Sequence, residues 1–185
     1  MIPDETLYRR YLGGDGEGLN ALMERHGDRL TLYLDGCLHD IHEAEDAMIE
    51  AFARLIASRP DIRDGGFRVY LYKTARRLAL RLLARRRARQ TFSLDELTEE
   101  PEGRELVEQT VQAAESGRIL RACMAELRPD YREALFLVDF EGLSHAETAA
   151  VMGKREKQVA DLVYRGKNAL RKRLEQEGIT DAYNG

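Results

Sequence analysis

The chain has 185 residues, 43% of them apolar, and a formal net charge of −4 that hides strong segregation: residues 73–92 hold eight bases and no acid, residues 93–116 eight acids against one base. That length allows one domain or two small ones, no apolar run approaches the roughly 18–20 residues a membrane span needs, and the polar, acidic N-terminus is no secretory signal, so a cytoplasmic protein without membrane insertion is expected. Cys37 and Cys123 stand alone in apolar helical patterns, too few for a disulfide framework or a zinc site, and read as packing residues.

Nearly every segment has helical periodicity. Leu19, Leu22, Met23, His26 and Leu30 recur at helical spacing behind Asp15, a candidate cap, and His26 belongs to that apolar stripe. A second helix is expected over about 28–38. Asp40 with Glu43 forms a capping-box-like start for a third helix, whose apolar face is Ala44, Ala47, Met48, Ala51, Phe52, Leu55 and Ile56. Its polar positions are Glu43, Glu45, Asp46, Glu50 and Arg54. Arg59-Pro60 ends it, because proline cannot continue a helix. Asp61 to Gly66 is a loop, and a long helix is expected from Phe67 to about Arg89, buried along Phe67, Leu71, Thr74, Ala75, Leu78 and Leu82.

From Thr91 to Ser116 the pattern weakens into an acidic stretch with Pro101 and Gly103, a linker composition. Near Gly117 periodicity returns with Ile119, Leu120, Cys123 and Leu127. Pro129 suits a first helical position, with Tyr131, Leu135 and Val138 behind it. Gly142 breaks the chain. Ser144 and Glu147 form a capping box for a helix with Ala146, Ala149, Ala150 and Val151 as small packing residues, and Gly153 ends it. A basic helix then runs to about Leu174 on the stripe Val159, Leu162, Val163, Ala169, Leu170 and Leu174. The expected fold is all-α: two small helical domains joined by an acidic linker, the second containing a helix-turn-helix.

Three features point to function. Seven arginines and a lysine without an acid would repel one another unless a polyanion lay nearby. Lys73, Arg76, Arg77 and Arg81 fall on one side of that helix, whose first turns carry Phe67, Tyr70 and Tyr72. Basic groups hold a phosphate backbone and aromatic rings accept unstacked bases; the alternative is that the rings are core and the arginines a solvated face. Glu43, Glu45, Asp46 and Glu50 form either a solvated surface or a dock for a basic helix. The helix-turn-helix would bring Arg155, Lys157 and Gln158 to base edges, with Arg165 and Lys167 further along. No Walker loop, HExxH, Cys–His pairing or GxSxG occurs, so neither an enzyme nor a cofactor or metal is expected.

These residues together resemble a family. EAEDAMIEAF (Glu43–Phe52), FRVYLYKTARRLALRLLARRR (Phe67–Arg87) and LRPDYREALFLVDFEGLSHAETAAVMG (Leu127–Gly153) resemble, in that order, segments of bacterial sigma-70 family sigma factors of the extracytoplasmic-function (ECF) group, which have regions 2 and 4. The resemblance implies a region 2-like domain over 1–90, a linker over 91–116, a region 4-like domain over 117–176 and a tail over 177–185. It further implies a promoter-specificity subunit with core RNA polymerase, promoter DNA and an anti-sigma factor as partners. Glu43, Glu45, Asp46 and Glu50 would then dock on the β′ coiled coil, and region 4 would touch the β flap. The set Phe67, Tyr70, Tyr72, Lys73, Arg76, Arg77 and Arg81 would handle the −10 strand, with a base flipped near the 59–66 loop. Arg155, Lys157, Gln158, Arg165 and Lys167 would hold the −35 duplex. The chain departs from the family pattern where Arg77 replaces the usual Asn, Arg81 replaces an Asp, and Gln158 to Leu162 replace a Thr-Val-Lys-Ser-Arg run, losing two cations and gaining Asp161. Two other readings remain: a helix-turn-helix regulator without polymerase docking, and a sigma-like interaction module with weak DNA reading.

Overall fold

The computed structural model describes residues 1–92 and 111–179, and the chain falls into two compact units, one largely N-terminal and one largely C-terminal. Among the described residues every regular element is helical. The first unit contains α1 (Asp4–Leu12), α2 (Gly16–Leu38), α3 (Ile41–Ser58) and α4 (Phe67–Phe92). The second contains α5 (Val111–Ala125), α6 (Pro129–Leu135), α7 (His145–Met152) and α8 (Glu156–Gln176). The linker expected over 91–116 lies outside the described residues except where it forms the end of α4 and the start of α5.

Helix α1 is not anticipated by the periodicity of so short a segment. Pro3 precedes it, Asp4 and Glu5 occupy its first turn, Arg9 and Arg10 its last, all favourable to the helix dipole. It exists because Leu7 and Tyr8 are buried. Helix α2 corrects the expectation of two helices. It is one 23-residue helix, capped by Asp15, whose carboxylate accepts from the Glu17 amide at 3.0 Å. Gly27 stays helical and buried, where α2 passes Met48 of α3. Helix α3 starts as its sequence suggests, with Asp40 accepting from the Glu43 amide at 3.0 Å. It stops at Arg59, held left-handed at φ 41° before Pro60.

The N-terminal core is Leu22, Leu30, Leu34, Leu38, Phe52, Leu55, Phe67, Leu71 and Tyr72, all at most 1% exposed. His26 is buried among them, its Nε2 2.9 Å from the Asp4 carboxylate and its ring 5.7 Å from that of Phe67. Arg25 binds the same carboxylate and also donates to the Ile2 carbonyl at 2.8 Å. Ile56, expected on the buried side of α3, is exposed, and Thr74 and Leu82 of α4 are only half-buried.

In the C-terminal unit α6 runs into a π-helical turn over Phe136–Phe140, so Val138 is not on a regular α-helical stripe. The wider turn stacks Phe136 on Phe140 at 5.8 Å and lets Leu137 remain buried. The Ser144–Glu147 box closes reciprocally, with the Ser144 amide donating to Glu147 at 2.8 Å and the Glu147 amide to Ser144 Oγ at 3.2 Å. Of the small residues in α7, Ala149 and Val151 are buried while Ala146 and Ala150 are exposed. Helices α6 and α8 cross closely at Gly166, where an added Cβ would lie 3.2 Å from the Leu135 side chain. Cys123 is buried, which pushes its thiol up from the ordinary range and leaves it an inert packing group.

Gly18 is the tightest point between α1 and α2. An added Cβ there would lie 2.3 Å from the Leu7 carbonyl oxygen, a backbone atom that cannot swing aside. Gly18→Ala is therefore expected to destabilise the N-terminal unit by about 1–3 kcal/mol, despite the better helix propensity of alanine. Denaturant unfolding measures this, and an unchanged or raised midpoint would refute it. Burial by itself raises the Asp4 carboxyl, but hydrogen bonds and charge from His26 and Arg25 outweigh it and hold the group below its ordinary 3.8. A carboxyl depressed on folding contributes stability that is present above its unfolded value and lost as pH falls through the folded one. Asp4→Asn should cost about 2 kcal/mol at neutral pH and lose less than the wild type on acidification below 3.8. Parallel stability–pH curves for the two proteins would contradict this.

Candidate nucleic-acid and protein interfaces

Two sides of α4 have different fates because its apolar positions follow one helical stripe. Phe67, Leu71, Tyr72, Ala75, Leu78 and Ala79 are buried. The Phe67 ring packs 5.9 Å from Tyr8, and Tyr72 meets the Tyr33 ring edge-on at 5.2 Å. This corrects the expectation that both rings accept bases: at 0% exposure neither has a free face. Tyr70 alone of the three stays partly exposed. Its hydroxyl lies 3.1 Å from Ser58 Oγ, which spends its own proton on the Arg54 carbonyl at 2.7 Å, so Tyr70 is the donor.

Away from the buried stripe, Arg77 and Arg81 are exposed one turn apart, and exposed Arg85 and Arg89 continue the four-residue step beyond the core, a ridge about 18 Å long that drifts by about 40° per step until it falls in line with Phe67 and Leu71. Among the described residues no ion pair engages Arg77 or Arg81, nor Lys73, which is half-buried beside them. Arg76 is half-buried and engaged with neighbours. Like charges at i, i+4 oppose the helix by about 0.2–0.5 kcal/mol per pair, and a polyanion would reverse that sign. Arg85 and Arg89, which extend the ridge, were recoverable from the sequence by continuing the same four-residue step.

Arg86 points the other way. It donates to the Leu38 carbonyl at 2.7 Å and pairs with Glu43, tying α4 to the end of α2 and the start of α3. Glu43 is thus committed internally. Glu45 and Asp46 stay exposed, and Glu50 is exposed but paired with Arg54 at 2.8 Å. The sequence pattern missed the apolar part of this surface: Ile49 and Ile56, 55% and 39% exposed, stand two turns apart on one face at i, i+7 with exposed Ala53 between them. Isoleucines that face water at helical spacing are the signal.

The second interface is α7, a three-residue turn and α8. Gly153 takes φ 65°, the left-handed conformation that closes α7. Arg155, Lys157 and Arg165 are exposed, and among the described residues no ion pair engages them. Gln158 is half committed, since its Oε1 accepts from the Arg155 amide at 2.8 Å, the glutamine half of a capping box. Lys167 pairs with Asp139 at 2.9 Å and is half-buried. Lys157, Asp161, Tyr164 and Arg165 share the outward face, with Tyr164 at 71% exposure. Tyr164 was not singled out by sequence, because an aromatic beside Val163 is indistinguishable from core without the packing.

A family model described as Sigma-70 region 2 matches residues 22–89, and one described as Sigma-70, region 4 matches residues 117–170. The chain is 30% identical over 153 residues to the ECF RNA polymerase sigma factor SigE of Mycolicibacterium smegmatis, covering 82% of this chain and 60% of that protein. It is 28% identical to the RNA polymerase sigma-H factor of Pseudomonas aeruginosa, over 93% of this chain and 94% of that one. Among solved structures it is similar to CnrH in complex with the cytosolic domain of CnrY (TM-score 0.65, 18% identity, 94% of this chain and 98% of that). It is also similar to the sigma factor RpoE in complex with the anti-sigma factor NepR from Bartonella quintana (TM-score 0.68, 18% identity, 84% and 96%). At that identity the likeness speaks to the fold alone.

The geometry separates Glu43 from its acidic neighbours. Glu43→Gln should lower stability by about 0.5–1 kcal/mol by loosening Arg86, whereas Asp46→Asn should change it by less than about 0.5 kcal/mol. Thermal unfolding of both variants checks this; equal losses would mean Glu43 has no structural share.

Proposed function

The chain belongs to the sigma-70 family of RNA polymerase sigma factors, in its ECF group with regions 2 and 4, and from that premise we propose that it directs core RNA polymerase to promoters from the cytoplasm. Residues 1–90 act as region 2, 91–116 as an acidic linker, 117–176 as region 4 and 177–185 as a tail. The observation that carries this reading is the coexistence, in one helical unit, of an outward arginine ridge on α4 and an acidic-apolar face on α3. A stand-alone DNA-binding regulator has no need of the second.

The mechanism is binding without covalent chemistry. Glu45, Asp46 and Glu50 meet the basic side of the β′ coiled coil, and Ile49 and Ile56 supply the apolar contact that makes a charged dock specific. Glu43 contributes by fixing Arg86. On docking, Lys73, Arg76, Arg77 and Arg81 hold phosphates of the −10 strand by charge, and a base leaves the stack to lodge near the 59–66 loop, with Tyr70 as the aromatic at hand. Phe67 and Tyr72 support this surface from beneath. Region 4 sets α8 in the −35 major groove with Arg155, Lys157 and Arg165 leading, and touches the β flap. Gln158 and Lys167 take part only if they leave their internal partners. The linker's carboxylates compete for channels built for nucleic acid, and an anti-sigma factor covers the exposed apolar surfaces when the protein is idle.

Asp161 on the outward face and the Lys167–Asp139 pair favour a second reading, in which region 4 grips its duplex weakly and region 2 carries most of the specificity. The decisive test is co-purification with core polymerase followed by transcription on genomic fragments with mapped start sites. Asp46→Lys with Glu50→Lys should abolish co-purification while leaving binding to promoter duplex by the free chain unchanged. Intact co-purification would point to a conventional regulator. Promoter-directed transcripts that survive removal of 117–176 would favour the second reading.

A further inference from the structure

Helix α1 carries three side chains at i, i+3 and i+4 that reach three points of one loop. The Tyr8 hydroxyl donates to the Pro60 carbonyl at 3.0 Å, at the start of the loop. The Arg9 guanidinium pairs with Asp64 at 3.2 Å, near its middle. Glu5 Oε1 accepts from the Phe67 amide at 3.1 Å, where the loop becomes α4. That amide is one of the four at a helix start that lack a partner within the helix, and a carboxylate there also complements the helix dipole.

The loop has little to hold it otherwise. Asp61, Arg63, Asp64 and Gly65 are exposed, and its own turn is closed by the Gly66 amide donating to the Arg63 carbonyl at 2.9 Å. Helix α1, by contrast, is firmly seated. Leu7 and Tyr8 are buried, the Leu7 carbonyl lies against Gly18, and Asp4 is bound by Arg25 and His26. Burial also pushes the Tyr8 phenol above its ordinary range, which keeps it a donor. The three tethers are unequal. Arg9 and Asp64 are 64% and 82% exposed, so their pair contributes little. Tyr8 and Glu5 act on backbone groups in partly buried surroundings and carry most of the effect.

We propose that α1 splints the 59–66 loop, and that Glu5 and Tyr8 are positioning residues for capture of the unpaired −10 strand, acting through Pro60 and Phe67 without touching DNA. This rests on the role assigned above to the loop. It extends the −10 apparatus to a helix that begins four residues into the chain and lies outside the matched region 2 segment.

The test uses holoenzyme assembled from core polymerase and the full chain, with a single-stranded oligonucleotide spanning the −10 element of a mapped start site as probe. Tyr8→Phe keeps the ring against Phe67 and removes only the bond to Pro60. Glu5→Ala removes the cap on Phe67, and Glu5→Gln restores an acceptor there. Each lost bond should weaken oligonucleotide binding between about threefold and tenfold, with affinity for core unchanged. Glu5→Gln should bind within about twofold of wild type, a rescue expected because its amide oxygen still accepts. Hydrogen exchange in the free chain should quicken at the 61–66 amides in Tyr8→Phe and Glu5→Ala, while α2 and α3 keep their protection. Wild-type oligonucleotide binding by both variants would overturn the splint alone. Failure of the wild-type holoenzyme to hold the −10 strand would overturn the loop's role and this inference together.

Discussion

The N-terminal unit depends on burying one stripe of a helix whose other side repels itself. Along α4 the exposed arginines oppose folding at each four-residue step, at a cost of a few tenths of a kcal/mol per pair. Phe67, Leu71 and Leu78 are buried, and each contributes about 1.5–3 kcal/mol by leaving water. The apolar term wins by a wide margin, so the helix tolerates a concentration of positive charge that serves no internal purpose. A protein selected for stability alone would not keep it. The ridge is therefore the feature around which α1, α2 and α3 make sense: they form the cradle that fixes it in space.

Both units sort their charges by the same rule. Cations near a packing contact are paired, as Arg86 is with Glu43 and Lys167 with Asp139. Cations beyond the contact are left outward: Arg77 and Arg81 on α4, Arg155, Lys157 and Arg165 on α8. The partly buried pairs gain from reduced screening, while an exposed pair would gain little and would spend a charge needed elsewhere. Acidic residues follow suit. Glu43 sits inward as an anchor, and Glu45 and Asp46 stay outside beside Ile49 and Ile56, giving α3 a surface that combines charge with apolar area.

Much of this was legible in the chain. Helices α3, α4, α7 and α8 announce themselves through caps, stops and 3.6-residue stripes, since those signals act within a few residues of one another. The basic and acidic blocks, and the order of the three family-like motifs, were equally plain. Other elements were not. Helix α1 is too short for periodicity to declare it and is stabilised by what Leu7 and Tyr8 touch. A separate helix was expected over about 28–38, yet α2 runs unbroken from Gly16 to Leu38 with α3 packed alongside. The π turn at Phe136–Phe140 is a compromise that lets Leu137 stay buried.

The site residues divide in the same way. Sequence alone determined the helical class, the two-part layout, the membership suggested by its motifs, and which residues carry positive or negative charge, because composition and spacing are local properties. Tertiary structure decided the orientation of each side chain. It turned Phe67 and Tyr72 inward and left Tyr70 at the surface, bound Glu43 to Arg86 and Lys167 to Asp139, exposed Ile49, Ile56 and Tyr164, and set α1 against the 59–66 loop. Burial and pairing are relations between distant parts of the chain, and a residue's neighbours across a helix–helix contact are fixed only once the helices have packed.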